Sequence, residues 1–376
     1  MNFLRRPLHA IVLIWPLMSL LAACASNDKV ISPNHPYTTN SDIRSLIVLD
    51  QTIAADPGNL GARVQRGLIH HRQGDLDRAI DEETAVIAID PQRADAYAVR
   101  SLSLYQKGQR KEAIADAQRA VGLDPTLADA YLLLGEDASA DGQLDKAIDY
   151  FDQALHLDPH FARALAGRGI VHAKRTEFDA AFVDFAAALS ADPNDYWIYT
   201  SRGITYLNLK QYPAAQADFD RSIALNPKDQ FGVFNLGEIF AHSGDHVRAE
   251  AEFSQAISLD PNVAAFWNAR CWQRALMSHL DAALADCNRS LQLSPASPGT
   301  LDSRGFVHMR AGRLDQALAD YDAALQINPK SASSLFARAL VKRRQGNLSA
   351  DADRGMALGL DPDIARRYAE EYGVAS

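Results

Sequence analysis

The chain has 376 residues and a formal net charge of −9. That acidic balance argues against general nucleic-acid binding, which needs clustered Lys and Arg to neutralise phosphates. An apolar content of 47% is enough for a continuous core.

In chain order, residues 1–23 read as a targeting segment. Arg5 and Arg6 form a basic start, Ile11 to Leu21 is an apolar core too short to span a bilayer comfortably, and small residues follow. Leu21-Ala22-Ala23-Cys24 resembles the lipobox of bacterial lipoproteins, which implies cleavage before Cys24 and a lipid-bearing first residue there. An ordinary secretory signal with a chance cysteine is the other reading. Ala25 rather than Asp follows the cysteine, which in that family implies export to the outer membrane, facing the periplasm. Several acyl chains at about 0.8 kcal/mol per buried methylene would anchor the protein stably. Residues 24–40 are polar, carry Pro33 and Pro36, show no periodicity, and read as a flexible tether.

From residue 41 a single unit repeats, seen most plainly in Thr300 to Pro329. Apolar residues recur there at helical spacing from Leu301 to Met309 and again from Leu314 to Ile327. Gly312 ends the first run, where a residue just past a helix tolerates a left-handed backbone. Asn328-Pro329 ends the second, because proline disfavours the helical conformation in the residue before it. An acidic, amide or serine residue followed by proline recurs at Pro57, Pro91, Pro125, Pro159, Pro193, Pro227, Pro261, Pro295 and Pro329, always 34 residues apart. One more step of 33 reaches Pro362. So fixed a period predicts stacked supersecondary units, each too small to bury its own apolar face. It favours one elongated body over the two or three globular domains that length alone allows. Ser41 to Ala55 reads as a lone second helix before the first full unit. Asp363 to Tyr372, with Ile364, Tyr368 and Tyr372 at four-residue spacing, reads as a short capping helix.

With units started at 60, 94, 128, 162, 196, 230, 264, 298 and 332, the eighth place is always small, from Gly67 to Ala339. The twentieth is alanine in the first eight units. The twenty-fourth is aromatic in the middle: Phe151, Phe185, Phe219, Phe253 and Tyr321. It decays to Glu83 and Ala117 at one end and Arg354 at the other, as expected where outer faces meet water. This pattern resembles the tetratricopeptide repeat (TPR) over about residues 41–362. The resemblance implies an all-α fold, a right-handed α-solenoid of a half-repeat plus nine stacked hairpins, closed by a capping helix in 363–376.

The seventh place departs from the family's usual leucine. It is Arg66, Arg100, Arg168, Arg202, Arg270, Arg304 or Arg338 in seven units, which sixteen residues later hold Glu82, Asp116, Asp184, Asp218, Asp286, Asp320 and, allowing for a deletion, Asp353. An antiparallel hairpin makes those places face each other, which predicts an arginine–carboxylate bridge within each such unit. In the seventh unit Cys271 and Cys287 stand where glycine and phenylalanine usually pair. In an oxidising envelope they are placed to form a disulfide, and two buried thiols are the other reading.

No Gly-rich phosphate loop, G-x-S-x-G elbow or H-E-x-x-H helix is present, so no catalytic, cofactor or metal site is expected. His70, His172 and His308, at the eleventh place, read as interior packing residues. Gly244 marks a turn between His242 and His246, which argues against a helical metal pair. Lys342, Arg343 and Arg344 read as charges favoured by the negative end of their helix. By analogy with the family, the second, fifth, ninth, twelfth and thirteenth places line a concave face. From the fifth unit to the eighth they include Trp197, Ile204, Leu207, Phe231, Phe234, Trp272, Leu276, Phe306 and Met309. Such a stripe is a candidate groove for protein or peptide partners, unless neighbouring repeats or the C-terminal segment cover it. The Lys and Asn of the family's clamp for C-terminal carboxylates are missing. The expected function is a non-enzymatic envelope scaffold tethered through Cys24. Alternatives are an assembly factor for a pilus or secretion pore, an enzyme with a site between repeats, and a self-associating architectural protein.

Overall fold

The computed structural model describes residues 40–370 and residue 372. Residues 1–39, which include the stretches read as a signal segment and a tether and the candidate Cys24, lie outside the described residues. Twenty α-helices and no strand occur among them. The unbroken period predicted one body, yet the chain divides into two compact units, one ending at Asn226 and the next starting at Pro227. In a stack where each repeat touches only its neighbours, any repeat boundary is crossed by few contacts.

The first unit holds a lone helix α1 (Asn40–Ala55) and five hairpins. These are α2 (Leu60–Arg72) with α3 (Leu76–Ile89), α4 (Ala94–Gln106) with α5 (Arg110–Leu123), and α6 (Ala128–Ala140) with α7 (Leu144–Leu157). They continue with α8 (Ala162–Lys174) and α9 (Phe178–Ala191), then α10 (Tyr196–Asn208) and α11 (Tyr212–Leu225). The second unit holds four hairpins and a terminal helix. Its hairpins are α12 (Gln230–His242) with α13 (His246–Leu259), and α14 (Ala264–Leu276) with α15 (Leu280–Leu293). Then come α16 (Pro298–Arg310) with α17 (Leu314–Ile327), α18 (Ala332–Arg344) with α19 (Ala350–Leu360), and last α20 (Ile364–Glu370).

Local chemistry sets the boundaries. The turn inside each hairpin places one residue in the left-handed region, and only Thr176, Lys210 and Ser278 do so without being glycine. The residue before the recurring proline leaves the helix in an extended conformation, as at Asp90, Asp158 and Asn226. Its side chain then accepts the N–H two residues on, at 3.0 Å from Gln92 to Asp90 and 2.9 Å from His160 to Asp158. That Asx turn explains why the period is written in Asp/Asn-Pro pairs.

Packing inside each hairpin follows the small places. The alanines at the twentieth place, from Ala79 to Ala317, are fully buried. The aromatic ring of the second helix lies on the bare backbone of the first. A Cβ added to Gly203 would stand 2.7 Å from the Phe219 ring, and one on Gly135 2.7 Å from Phe151. A side chain at these glycines would overpack the contact, at a typical cost of about 1–3 kcal/mol. Glu83 departs from expectation: it is fully buried rather than turned to water, because its place faces Gly67 across the hairpin wherever the hairpin stands in the stack.

All seven predicted arginine–carboxylate bridges form. Six are two-pronged, such as Arg202 Nε and Nη2 on the two oxygens of Asp218 at 2.8 and 2.7 Å, and Arg338 on Asp353 at 2.7 and 2.6 Å. In the first hairpin both nitrogens of Arg66 donate to one oxygen of Glu82, at 3.2 and 2.7 Å. The third nitrogen, which the sequence pattern left unassigned, reaches the preceding repeat in six of the seven. Arg66 meets Asp50 (2.7 Å), Arg100 meets Thr84 (3.2 Å) and Arg168 meets Asp152 (2.6 Å). In the second unit Arg270 meets Ser254 (3.1 Å), Arg304 meets Asn288 (3.0 Å) and Arg338 meets Asp322 (2.8 Å). Each of these six arginines therefore ties its own hairpin shut and fixes the repeat before it. Arg202 follows Ala186, which offers no acceptor, and packs over Tyr199 and Tyr206 instead.

In the seventh hairpin Cys271 and Cys287 are joined as a disulfide with Cα atoms 5.4 Å apart, so the alternative of two thiols is not the one the structure adopts. The bond occupies the space that a ring on glycine fills elsewhere, and both residues are fully buried. It closes a loop with a sequence separation of 16 residues. A loop of that size corresponds to about 3 kcal/mol on the chain-entropy account. Reduction should therefore lower the thermal midpoint of the intact chain, read by near-UV circular dichroism. An unchanged midpoint with both thiols shown to be free would contradict this.

Candidate partner-binding surface

Within each unit the first helices of successive hairpins pack on one another, α2 on α4 and α6 on α8 in the first, α14 on α16 and α16 on α18 in the second. They form the inner layer, and residues one or two turns apart on them share its face.

Among the nine groove candidates the structure separates two groups. Trp197, Ile204 and Leu207 in the first unit stay half-buried, as do Phe231, Trp272 and Leu276 in the second. Phe234, Phe306 and Met309 are interior residues, with exposures of 4%, 1% and 1%. The Phe234 ring is held between Phe253 and Phe266, with centroids 5.3 and 4.9 Å away. Phe306 is covered by the chain's own C-terminal segment: Tyr372 stands 5.9 Å from its ring and 5.1 Å from that of Trp272. Helix α20 leads there by packing Tyr368 on Phe336 at 5.0 Å. The end of α18 lies over Met309, where Arg344 donates to the Met309 carbonyl (3.4 Å).

The inner face also carries carboxylates that a search for apolar residues passed over. Asp129 and Glu136 occupy the second and ninth places of α6, Glu238 the ninth of α12 and Asp302 the fifth of α16. These are the same family places that gave the apolar stripe, so reading every residue type there would have found them. Burial raises all four. Glu136 and Glu238 are pushed up to about 7 and Asp302 to about 6. Arg72 and Arg163 pull Asp129 the other way, and Arg163 does so for Glu136. Asp302 accepts a hydrogen bond from Ser334 Oγ at 2.6 Å.

Two histidines of the eleventh place lie beside the bridges, His172 Nε2 3.8 Å from Asp184 and His308 Nε2 3.8 Å from Asp320, and His172 Nδ1 is 2.6 Å from Glu177. His242 ends α12 and His246 begins α13, its Nδ1 2.8 Å from the Gln273 side chain. Lys342 adds a second cation to Asp353 at 2.9 Å, a structural partner for one member of that basic cluster. Among the described residues no group of three or more His, Cys, Asp and Glu is placed to hold a metal ion, and no helix is long and apolar enough to cross a membrane.

Family models described as tetratricopeptide repeat match residues 48–94, 132–196 and 200–264, residues 94–127, and residues 264–342. No curated protein matches the chain. Among solved structures, the APC/C hetero-tetramer Cut9-Hcn1 is similar at 19% identity and a TM-score of 0.63, with 80% of this chain and 62% of that chain covered. This chain thus spans less than two thirds of that one. PilF of Pseudomonas aeruginosa is similar at 20% identity and a TM-score of 0.51, over 57% of this chain and 96% of that chain. The human IFIT1 dimer with PPP-AAAA is similar at 16% identity and 0.56, over 80% and 72%. At these identities the likeness is one of fold.

Proposed function

The chain belongs to the tetratricopeptide repeat family, and on that premise we propose that it is a non-enzymatic scaffold that holds segments of partner proteins along the inner faces of its two units. One observation carries the reading. Six large apolar side chains remain only partly buried at inner places, although each hairpin already has a fully buried set of its own. They are Trp197, Ile204 and Leu207 in one unit, and Phe231, Trp272 and Leu276 in the other. Grouped exposed apolar groups of this kind mark interaction surfaces, and aromatic residues carry much of the binding energy there.

The scaffold is read as anchored in a bacterial envelope through a lipid on Cys24, on the outer membrane facing the periplasm. The sequence Leu21-Ala22-Ala23-Cys24 supports this.

Crosslinking and capture from native membranes tests the surface. Trp197→Ala with Phe231→Ala should lower recovery of the wild-type partners about tenfold or more. Equal recovery from a folded double variant would remove the proposal. The anchor has its own readout: Cys24→Ala should abolish labelling by a fatty-acid probe and release the chain from the membrane fraction. Labelling that survives the substitution would rule the lipid out.

A further inference from the structure

In the second unit, the inner helices α12 and α14, joined through Phe266, present a carboxylate, an unpartnered amide oxygen and two aromatic rings. Phe231 and Glu238 lie seven residues apart on α12, two turns along one face. Asn268 and Trp272 lie four apart on α14, one turn along its face. The two helices are held side by side by Phe266, whose ring meets Phe231 edge-on at 6.1 Å and Phe234 at 4.9 Å. Among the described residues Glu238 has no hydrogen bond and no ion pair, and burial alone accounts for its raised pKa. Asn268 is 9% exposed, and its Oδ1 has no hydrogen-bond partner.

The neighbouring cations of this unit are committed elsewhere. Arg270 and Arg274 are held by Asp286, and each has a second partner, Ser254 for Arg270 and Glu250 for Arg274. Arg310 lies over Phe306 and donates to Ser278. In the first unit the equivalent carboxylate, Glu136, sits in the field of Arg163. The second unit has no such counter-charge at Glu238.

We propose that Phe231, Glu238, Asn268 and Trp272 form a subsite for a lysine or arginine side chain of a partner polypeptide. The proposal rests on the scaffold reading above. Charge complementarity selects the occupant. The cation offsets the half-buried carboxylate, its N–H groups supply the donor that Asn268 Oδ1 lacks, and its methylene stem lies along the rings. A cation over the face of Phe231 adds the ring quadrupole's attraction. An acidic segment would meet the uncompensated carboxylate and be rejected.

A displayed library of random dodecapeptides tests this, selected in parallel on the full chain as wild type and as Glu238→Gln. Circular dichroism melting of both proteins serves as the fold control. Wild type should enrich Lys or Arg at one position of its binders. Glu238→Gln should lose that enrichment and bind the selected basic peptide about tenfold more weakly. Glu238→Lys should turn the preference toward Asp or Glu. Binders without a basic position, or with one that persists in Glu238→Gln, would overturn the subsite and leave the scaffold reading standing. A library that yields no binder on wild type would overturn both.

Discussion

Replacing Asp286 by alanine is expected to cost the second unit about 3–5 kcal/mol, the scale for removing one partner of a buried ion pair. Asp286 is 2% exposed and serves two cations. Arg270 donates to both of its oxygens at 2.9 and 2.8 Å, and Arg274 adds a third bond at 2.8 Å. Through those arginines the carboxylate links Ser254 and Glu250 of the preceding hairpin to the seventh. Its loss leaves Arg270 with only the Ser254 hydroxyl and Arg274 with Glu250 alone, so much of the desolvation cost of the partly buried Arg270 is no longer offset. Removing both ends of the main bridge should cost less: Arg270→Met with Asp286→Leu replaces the pair with apolar groups, a change often near neutral. Urea unfolding of the single and double variants checks this, followed by fluorescence of Trp267 and Trp272, which lie on the same hairpin. Additive costs for the two ends would show that the pair is not coupled.

The hairpins, their boundaries and the bridges were legible because each is written in a repeating place. Arg202 and Asp218 are sixteen residues apart in a unit whose antiparallel geometry brings those places together, and the structure joins them. The third arm of the six arginines that reach backwards was harder to read. Its partner lies in the preceding repeat and varies among Asp, Ser, Thr and Asn, so only the common ability to accept a hydrogen bond marks it. The inner face was half legible. Place along the helix identifies the residues that look inward, and Trp197 and Phe231 do keep exposed surface there. Place does not say what arrives later from elsewhere in the chain. Phe306 was lost from the face because Tyr372, more than sixty residues on, folds over it. Helical spacing marked Ile364, Tyr368 and Tyr372 as a capping helix, but carried no information on where it would dock.

Glu83→Phe is expected to stabilise the first unit and to flatten its response to pH. Glu83 holds the place that Phe151, Phe185 and Phe219 hold in later hairpins, yet it is a fully buried carboxyl with neither oxygen hydrogen-bonded. A Cβ on Gly67 would lie only 2.1 Å from its Oε1, so the side chain already fills the ring's space. Burial first, then the charges of Asp95 and Glu82, push its pKa from 4.5 up to about 9, against a weaker pull from Arg100 and Arg93. The folded state therefore keeps a proton that the unfolded chain releases. From this group, stability is highest below the unfolded value of 4.5 and falls as pH rises toward about 9, then levels off. The slope inside that window is at most about 1.4 kcal/mol per pH unit. Phenylalanine removes the ionisable group and buries a ring worth roughly 1.5–3 kcal/mol in transfer free energy. For a unit of this size each kcal/mol moves the midpoint by about 2–4 °C. Melting curves at pH 5, 7 and 9 should show wild type losing ground to the variant as pH rises. Parallel pH profiles, or a variant that melts lower at every pH, would mean that this carboxyl has found a proton-independent partner and that the hairpin needs it.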